Sequence, residues 1–285
     1  MNIGLIVNTS KEKAVSCAAE IITLLGGAGA KLVTLRRYNE FSHFENLEFR
    51  DTHAELFDSC DMAVTVGGDG TIIHAAKHAA QADKPLIGVN VGRLGFAAEV
   101  EPDKITDLLR LISGDYEIRD RMLLDVTVRR GGSEKKYIAV NEATVARGQL
   151  SRIIDISVSL DDSPISTYRA DGLLFSTPTG STAYSLSAGG PVIYPEMKCI
   201  LLTPICPHSL ISRSVVFGGD AVLTAIVQPS DEIPAILSVD GEINIEISPE
   251  DIVTVKRSPL KLKLITLYER NFYQLLNEKL KERKN

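Results

Sequence analysis

No apolar run in this sequence is long enough to span a bilayer, which takes ~20 residues, so a membrane-crossing helix is not expected. No CxxC pair occurs. Cys17, Cys60, Cys199 and Cys206 are scattered and read as reduced thiols of a cytoplasmic protein. There is no basic excess either. The net charge is −6, whereas a general nucleic-acid binder is usually basic, so nucleic acid is not an expected partner. No basic region precedes the strand-like Met1–Val7 and no cleavage site follows it, so a signal peptide is not expected. Internal repeats, low-complexity segments and proline-rich linkers are absent. Two nucleotide fingerprints are also missing. No Gly-Lys-Ser/Thr follows the glycines as in a Walker A loop, and no Gly-x-Gly-x-x-Gly has the dinucleotide spacing. What remains is an ordinary globular composition, 44% hydrophobic and 24% charged, with 285 residues to fill one large or two modest domains.

The stretch that is present and informative is Met62-Ala63-Val64-Thr65-Val66-Gly67-Gly68-Asp69-Gly70-Thr71. A buried-type strand runs into a glycine turn, and a helical pattern follows from Ile72 to Gln81. Glycine lets the main chain approach a ligand, and helix-leading amides favour an anion there. A carboxylate in such a cradle repels phosphate unless it holds a metal ion or takes a proton, and phosphoryl transfer needs both jobs done. The plainer reading makes Asp69 a helix cap and the glycines a mere bend.

The chain around it alternates. Ile3–Val7 is a strand, 11–25 a helix and 31–35 a second strand, a βαβ unit with Asn8 at the carboxyl end of its first strand. The segment from Phe41 to Asp61 has weak periodicity and reads as either a helix or a loop. His74 and His78 stand at i, i+4 on the helix after the glycine turn. Two histidines on one helical face could bind a metal, but without an HExxH glutamate or an evident third ligand they read rather as surface or packing residues. A further strand over 85–90 leads into the glycine-rich Val91-Gly92-Arg93-Leu94-Gly95-Phe96, and a helix follows over 102–113. This portion is expected to be α/β, Rossmann-like, with a mainly parallel sheet.

The character changes near Asp120. Short alternating segments follow at 123–129, 137–145, 154–160, 222–227, 235–239, 243–247 and 252–256. They predict an all-β, sandwich-like portion. A charged helix over 275–284 is expected to return to the first domain. The domain expectation is therefore 1–119 with 262–285 packing back on it, and 120–261 as the β-rich domain. Two stretches inside the β portion are not plain strand. Asn141-Glu142 sits in mid-strand, where neighbours point to opposite faces, unless this is an edge or bulge. Ala170 to Pro191 collects hydroxyls, glycines and small residues around Asp171. Its hydroxyls and amides could read a base, a ribose or a carboxamide, and 177–182 could equally cap a helix over 183–188.

Taken in order, Gly67-Gly68-Asp69-Gly70-Thr71, Gly88-Val89-Asn90 through Leu94-Gly95-Phe96, Asn141-Glu142, and Asp171-Gly172 through Thr177-Pro178-Thr179-Gly180-Ser181-Thr182-Ala183-Tyr184 resemble the NAD kinase family. Cys206-Pro207-His208-Ser209-Leu210 and Val239-Asp240-Gly241 agree with it. The glycine–aspartate motif is shared with diacylglycerol, sphingosine and phosphofructokinase-type enzymes, whereas the Thr-Pro-Thr-Gly-Ser-Thr-Ala-Tyr run is specific. The resemblance implies transfer of the γ-phosphoryl of ATP, or of inorganic polyphosphate, to the 2′-hydroxyl of the adenosine ribose of NAD, giving NADP. It implies an α/β domain and a β-sandwich domain with the site between them, a divalent cation (magnesium), and a homodimer or homotetramer.

By position, the resemblance makes Asp69 the candidate base and metal-side carboxylate, contacting NAD together with Gly70. Gly67, Gly68, Gly70 and Thr71 would line the phosphate path. Asn141, Glu142, Arg169, Asp171, Thr182, Ala183, Tyr184, Ser187 and Phe96 would face NAD, with Glu142 on the ribose diol. Arg169 matches the NAD-preferring members, and His208 is a further position that is either functional or structural. No dedicated protein ligand set for the metal is expected; magnesium would come with the nucleotide phosphates near Asp69. Three other readings stand beside this one. A lipid or sugar-phosphate kinase of the same superfamily would lack the threonine-rich run, and a lipid kinase would show an apolar or basic membrane-facing surface. A dinucleotide sensor would not need Asp69. A hydride-transferring dehydrogenase would carry the absent Gly-x-Gly-x-x-Gly.

Overall fold

Alternating apolar strands and amphipathic helices in the first part of the chain build a parallel sheet. The computed structural model describes residues 1–92, 98–148, 153–209, 212–228, 235–269 and 271–282. The chain divides into two compact units. One is Met1–Asp120 with the chain from Leu262 onward, the other Arg121–Lys261. In the first unit the elements are β1 (Asn2–Val7), α1 (Glu12–Gly27), β2 (Lys31–Leu35), β3 (Leu47–Arg50), α2 (His53–Ser59), β4 (Met62–Gly67), α3 (Asp69–Gln81), β5 (Leu86–Asn90) and α4 (Leu109–Ser113). The parallel order is β3-β2-β1-β4-β5. β4 is buried along its whole length, as a central parallel strand must be. α1 seats Ala14, Cys17, Ala18, Ile21, Ile22 and Leu25 in the core, an i, i+3, i+4, i+7 stripe.

The sheet order fixes where a ligand can go. The chain runs outward from β1 to β3, then returns so that β4 lies on the other side of β1. The strand order therefore reverses between β1 and β4, and the crevice of an open α/β sheet lies outside the carboxyl ends at that point. Asn8 and Gly68 are the residues immediately after those two strands.

The second unit begins within β6 (Glu117–Arg130) and continues through β7 (Ser133–Ala139), β8 (Glu142–Arg147), β9 (Ile154–Leu160), β10 (Ser163–Ala170), β11 (Gly172–Ser176), α5 (Tyr184–Ser187), β12 (Cys199–Ile205), β13 (Val215–Gly218), β14 (Leu223–Val227), β15 (Ala235–Val239), β16 (Ile243–Ile247) and β17 (Ile252–Thr266). β10-β9-β14-β17 form one sheet, joined by the β6–β7 hairpin. The other sheet has the order β13-β12-β11-β8-β15-β16. A single apolar core fills the space between them, with Ile154, Ile156, Leu223 and Val255 from the first and Val145, Phe175, Leu202 and Leu237 from the second. This is a sandwich.

β17 carries the chain back into the first unit, where Leu264 pairs in parallel with Leu86 of β5. Glu99 fixes this return: its Oε1 accepts from Thr266 Oγ1 at 2.7 Å and from the amides of Leu267 and Tyr268 at 2.9 and 3.0 Å. α6 (Phe272–Glu282) follows. Among the described residues, no helix is long and apolar enough to cross a membrane.

Three expectations change. The weakly patterned 41–61 segment holds a strand, β3, and a helix, α2, capped by Thr52 Oγ1 on the Glu55 amide at 3.2 Å. The helix expected over 102–113 is a 3₁₀ turn, Pro102–Leu108, followed by α4, with a non-helical Lys104 inside. The single strand expected over 137–145 is two. β7 pairs with β6, β8 pairs with β11 and β15, and Val140-Asn141 is the crossing between sheets. Its alternation stays in phase through the crossing, which is why the pattern looks continuous.

Candidate functional site

Two clusters gather the sequence-predicted residues, one in each unit. In the first, the Gly67–Thr71 turn links β4 to α3. Asp69 is the first helical residue and Gly68 the cap, so Asp69 is not the capping side chain that the plainer reading required. The turn is tight. A Cβ on Gly67 would stand 2.2 Å from Thr71 Oγ1, so this position admits only glycine without moving Thr71. The main chain ties the turn to its neighbours: the Asn8 amide donates to Val66 O at 2.9 Å and the Val91 amide to Gly67 O at 2.9 Å.

A cavity of about 580 Å³ opens at the β1–β4 crevice, walled by Asn8, Lys11, Arg37, Gly68, Gly70 and Thr71 among others. Gly67 and Asp69 are not in its wall. Asp69 is partly exposed beside it. The Lys11 ammonium reaches over the turn, 3.9 Å from where a Cβ on Gly68 would lie and 3.5 Å from one on Gly92. It makes no ion pair with a described residue. Two cations, helix-leading amides and glycine backbone on one cavity wall are groups that suit an anion. Sequence reasoning missed Lys11 and Arg37, because single basic residues carry no pattern.

In the second unit the sheet face turned away from the sandwich core is buried and sets polar groups beside Leu174 and Leu201. Glu142, Thr144, Ser176 and Thr203 lie on it. The crossing at Val140-Asn141 is locked from both sides. The Asp240 carboxylate accepts from the amides of Val140, Asn141 and Glu142 at 2.9, 2.8 and 3.0 Å. Thr177 donates from its hydroxyl to Val140 O at 2.7 Å and from its amide to Asn141 O at 2.8 Å. The Thr177 hydroxyl then accepts from the Gly180 amide at 3.0 Å. Gly180 lies so close that an added Cβ would meet Asn141 O at 2.1 Å. The threonine-rich turn is thereby pressed against Asn141-Glu142, and Thr182 is buried in it. The edge-or-bulge reading with solvated groups fails here, since Glu142 is only 9% exposed.

Glu142 has the unusual chemistry. Its Oε2 is buried with no hydrogen-bond partner among the described residues, as are Ser176 Oγ, directly across from it on β11, and Thr179 Oγ1. Burial, helped by the nearby Asp240 charge, pushes its carboxyl up to about 7. Buried polar atoms are almost always satisfied, so an orphaned carboxylate oxygen paired across the sheet with an orphaned Ser176 hydroxyl fits a site that a polar ligand completes.

The raised pKa has a stability consequence with a definite sign. Between about 4.5 and 7 the folded protein holds a proton that the unfolded chain has released, so this contribution is present at low pH and lost as pH rises through 7. Glu142→Gln, which cannot titrate, is expected to melt higher relative to wild type at pH 8 than at pH 5. The difference should be on the order of 2 kcal/mol. Equal offsets at both pH values in thermal melts would refute a buried, protonated Glu142.

The other predicted residues spread out. Asp171 lies between β10 and β11 and accepts from Arg147 Nε at 2.7 Å. That pair stands at the far end of β8 from Glu142, about 16 Å along the strand, so no single small group touches both. Arg169 is exposed on β10, and its carbonyl accepts from the His208 amide at 2.9 Å. Ala183 links the Thr179–Thr182 turn to α5, whose Tyr184 and Ser187 are exposed. Phe96, with Arg93, Leu94 and Gly95, lies outside the described residues.

Comparison with known proteins assigns each half of the chain to a domain family. Residues 3–116 match the ATP-NAD kinase N-terminal domain, and residues 140–267 match the ATP-NAD kinase C-terminal domain. The NAD kinase of Heliobacterium modesticaldum is 39% identical over 283 residues, covering 98% of each chain. That of Natranaerobius thermophilus is 43% identical over 222 residues, 77% of each. The crystal structure of yeast NADH kinase complexed with NADH superposes with a TM-score of 0.88 at 25% identity, covering 98% of this chain and 87% of that one. On sequence, domain content and fold together, the chain belongs to the NAD kinase family, whose reaction is the phosphorylation of NAD to NADP.

Proposed function

We propose that the protein moves the γ-phosphoryl of ATP, or of inorganic polyphosphate, to the 2′-hydroxyl of the adenosine ribose of NAD. The observation that carries this is the Lys11 ammonium standing over the Gly67–Gly70 turn at the sheet's switch point, in a cavity of about 580 Å³. Lys11 and Arg37 neutralise phosphate charge there, and the amides of Gly70 and Thr71 align it. Asp69, beside that wall, accepts the hydroxyl proton as attack proceeds. One carboxylate with donor phosphates suits magnesium, which usually takes one or two protein carboxylates, and Asp69 fits that role. When bound, the ion would neutralise charge on the transferring group.

In the β-rich unit, Glu142 with Asn141 and Thr182 holds the adenosine ribose: a diol supplies the hydrogen bond that Glu142 Oε2 lacks. Asp171 and Arg169, with Ala183, Tyr184, Ser187 and Phe96, contact other parts of the dinucleotide. On this reading the first unit is the phosphate and catalytic domain and the second the NAD-binding domain. The cytoplasm is the expected compartment. Exposed Val215, Val216 and Met197 support a homodimer or homotetramer.

The test is end-point conversion of NAD to NADP, read with an NADP-specific dehydrogenase. NADP should form with a donor and magnesium and should not form with EDTA. Bound NAD without NADP from either donor would favour a dinucleotide sensor instead.

A further inference from the structure

The family reaction leaves one cluster unused. His53 opens α2, while His74 and His78 stand one turn apart on α3. The sequence offers only the i, i+4 pair, with no third ligand in view, and the fold supplies it from α2. Three of the chain's five histidines thus meet at one point of the first unit. Their ligand-capable nitrogens lie within 4.8 Å of one another. The His53 and His78 rings stack at 4.5 Å, and His74 stands edge-on to both at 5.1 and 5.7 Å.

We infer that His53, His74 and His78 form a three-imidazole site for one borderline divalent transition-metal ion, Zn²⁺ by preference, whose binding releases Arg37. Imidazole suits zinc and its neighbours, whereas magnesium takes oxygen, so this site is chemically separate from a nucleotide-borne magnesium. Zinc–nitrogen bonds near 2.0–2.1 Å place tetrahedral ligands about 3.3 Å apart, so the triangle must contract by about 1.5 Å at most. Side chains on two helices can do this by rotation, leaving water in the fourth position.

The link to Arg37 follows from proton placement. Arg37 Nη2 lies 3.3 Å from His53 Nε2. A guanidinium only donates, so Nε2 accepts and the imidazole proton sits on Nδ1. A metal on Nε2 takes that lone pair. A metal on Nδ1 sends the proton to Nε2 and removes the acceptor. Either way the contact breaks. Arg37 and His74 both line the phosphate cavity, so the freed guanidinium is released at its wall. The metal site itself does not depend on the proposed reaction.

Zn²⁺ titration of the full chain against a chromogenic chelator should find one equivalent bound. His53→Gln, His74→Gln and His78→Gln should each weaken it at least about tenfold, while Cys206→Ser and His208→Gln leave it unchanged. Arg37→Ala should tighten it about tenfold, since no hydrogen bond to a charged donor has then to break. Co²⁺ added to the unaltered protein should give the intense visible bands of a tetrahedral nitrogen site, a readout that needs no variant to fold. The proposal is overturned by the absence of stoichiometric binding, by Zn²⁺ affinity that follows Cys206, or by an octahedral Co²⁺ spectrum.

Discussion

Asp69→Asn should lower kcat for NADP formation by about 10²–10⁴-fold, the range a positioned general base contributes. The substitution keeps size and shape at the first residue of α3 and removes the only carboxylate in the glycine turn. It also removes a negative charge from a helix N-terminus, worth roughly 0.3–1 kcal/mol, so the fold should survive with a small drop in melting temperature. NAD binding should change far less than kcat, because the ribose-holding groups proposed around Glu142 belong to the other unit. The two possible jobs of Asp69 separate in one experiment. If it serves mainly as the base, raising magnesium will not restore the rate. If it serves mainly as metal partner, the apparent magnesium requirement rises and high concentrations recover much of the loss. Activity within tenfold of wild type at ordinary magnesium would remove Asp69 from the mechanism.

The features legible in sequence were those with local causes. Apolar runs between glycine turns gave β1, β2, β4 and β5, and a glycine–aspartate turn between strand and helix marked the site proposed here for phosphate. Three kinds of feature were not legible. β3 has four residues, too few for periodicity to register. The β7–β8 crossing kept its alternation in phase, so only the long-range bonds to Asp240 and Thr177 reveal it. Lys11 and His53 gain meaning from what the fold brings beside them: Lys11 reaches over Gly68, and His53 meets two residues more than twenty positions away. Asn141-Glu142 falls between these cases. An acid within an apolar strand is conspicuous, yet only its burial and its orphaned oxygen distinguish a ligand site from a solvated edge.

Asp240→Ala should destabilise the β-rich unit as much as truncating a buried core side chain. The residue stands in the β15–β16 turn at φ 50°, followed by Gly241 at φ 70°, a left-handed pair that aims the carboxylate back at the crossing. Two oxygens there satisfy three consecutive amides. Alanine leaves all three without that acceptor. Each unsatisfied amide costs about 1–3 kcal/mol, and water entering this part-buried site recovers some of it, so a net loss of roughly 4 kcal/mol is expected. Alanine also adopts the left-handed conformation less readily than aspartate, which adds to the loss. Asp240→Asn should cost less. Its single carbonyl oxygen can still accept from Asn141 and Glu142, but its NH₂ would face the Val140 amide, donor against donor. Denaturant melts should therefore rank wild type above Asn above Ala, and NAD affinity should fall in the same order, because the same three amides position Glu142. If Asp240→Ala unfolded within about 1 kcal/mol of wild type, the crossing would be held by Thr177 and β-sheet pairing alone. The role of Asp240 in shaping the Glu142 site would then have to be withdrawn.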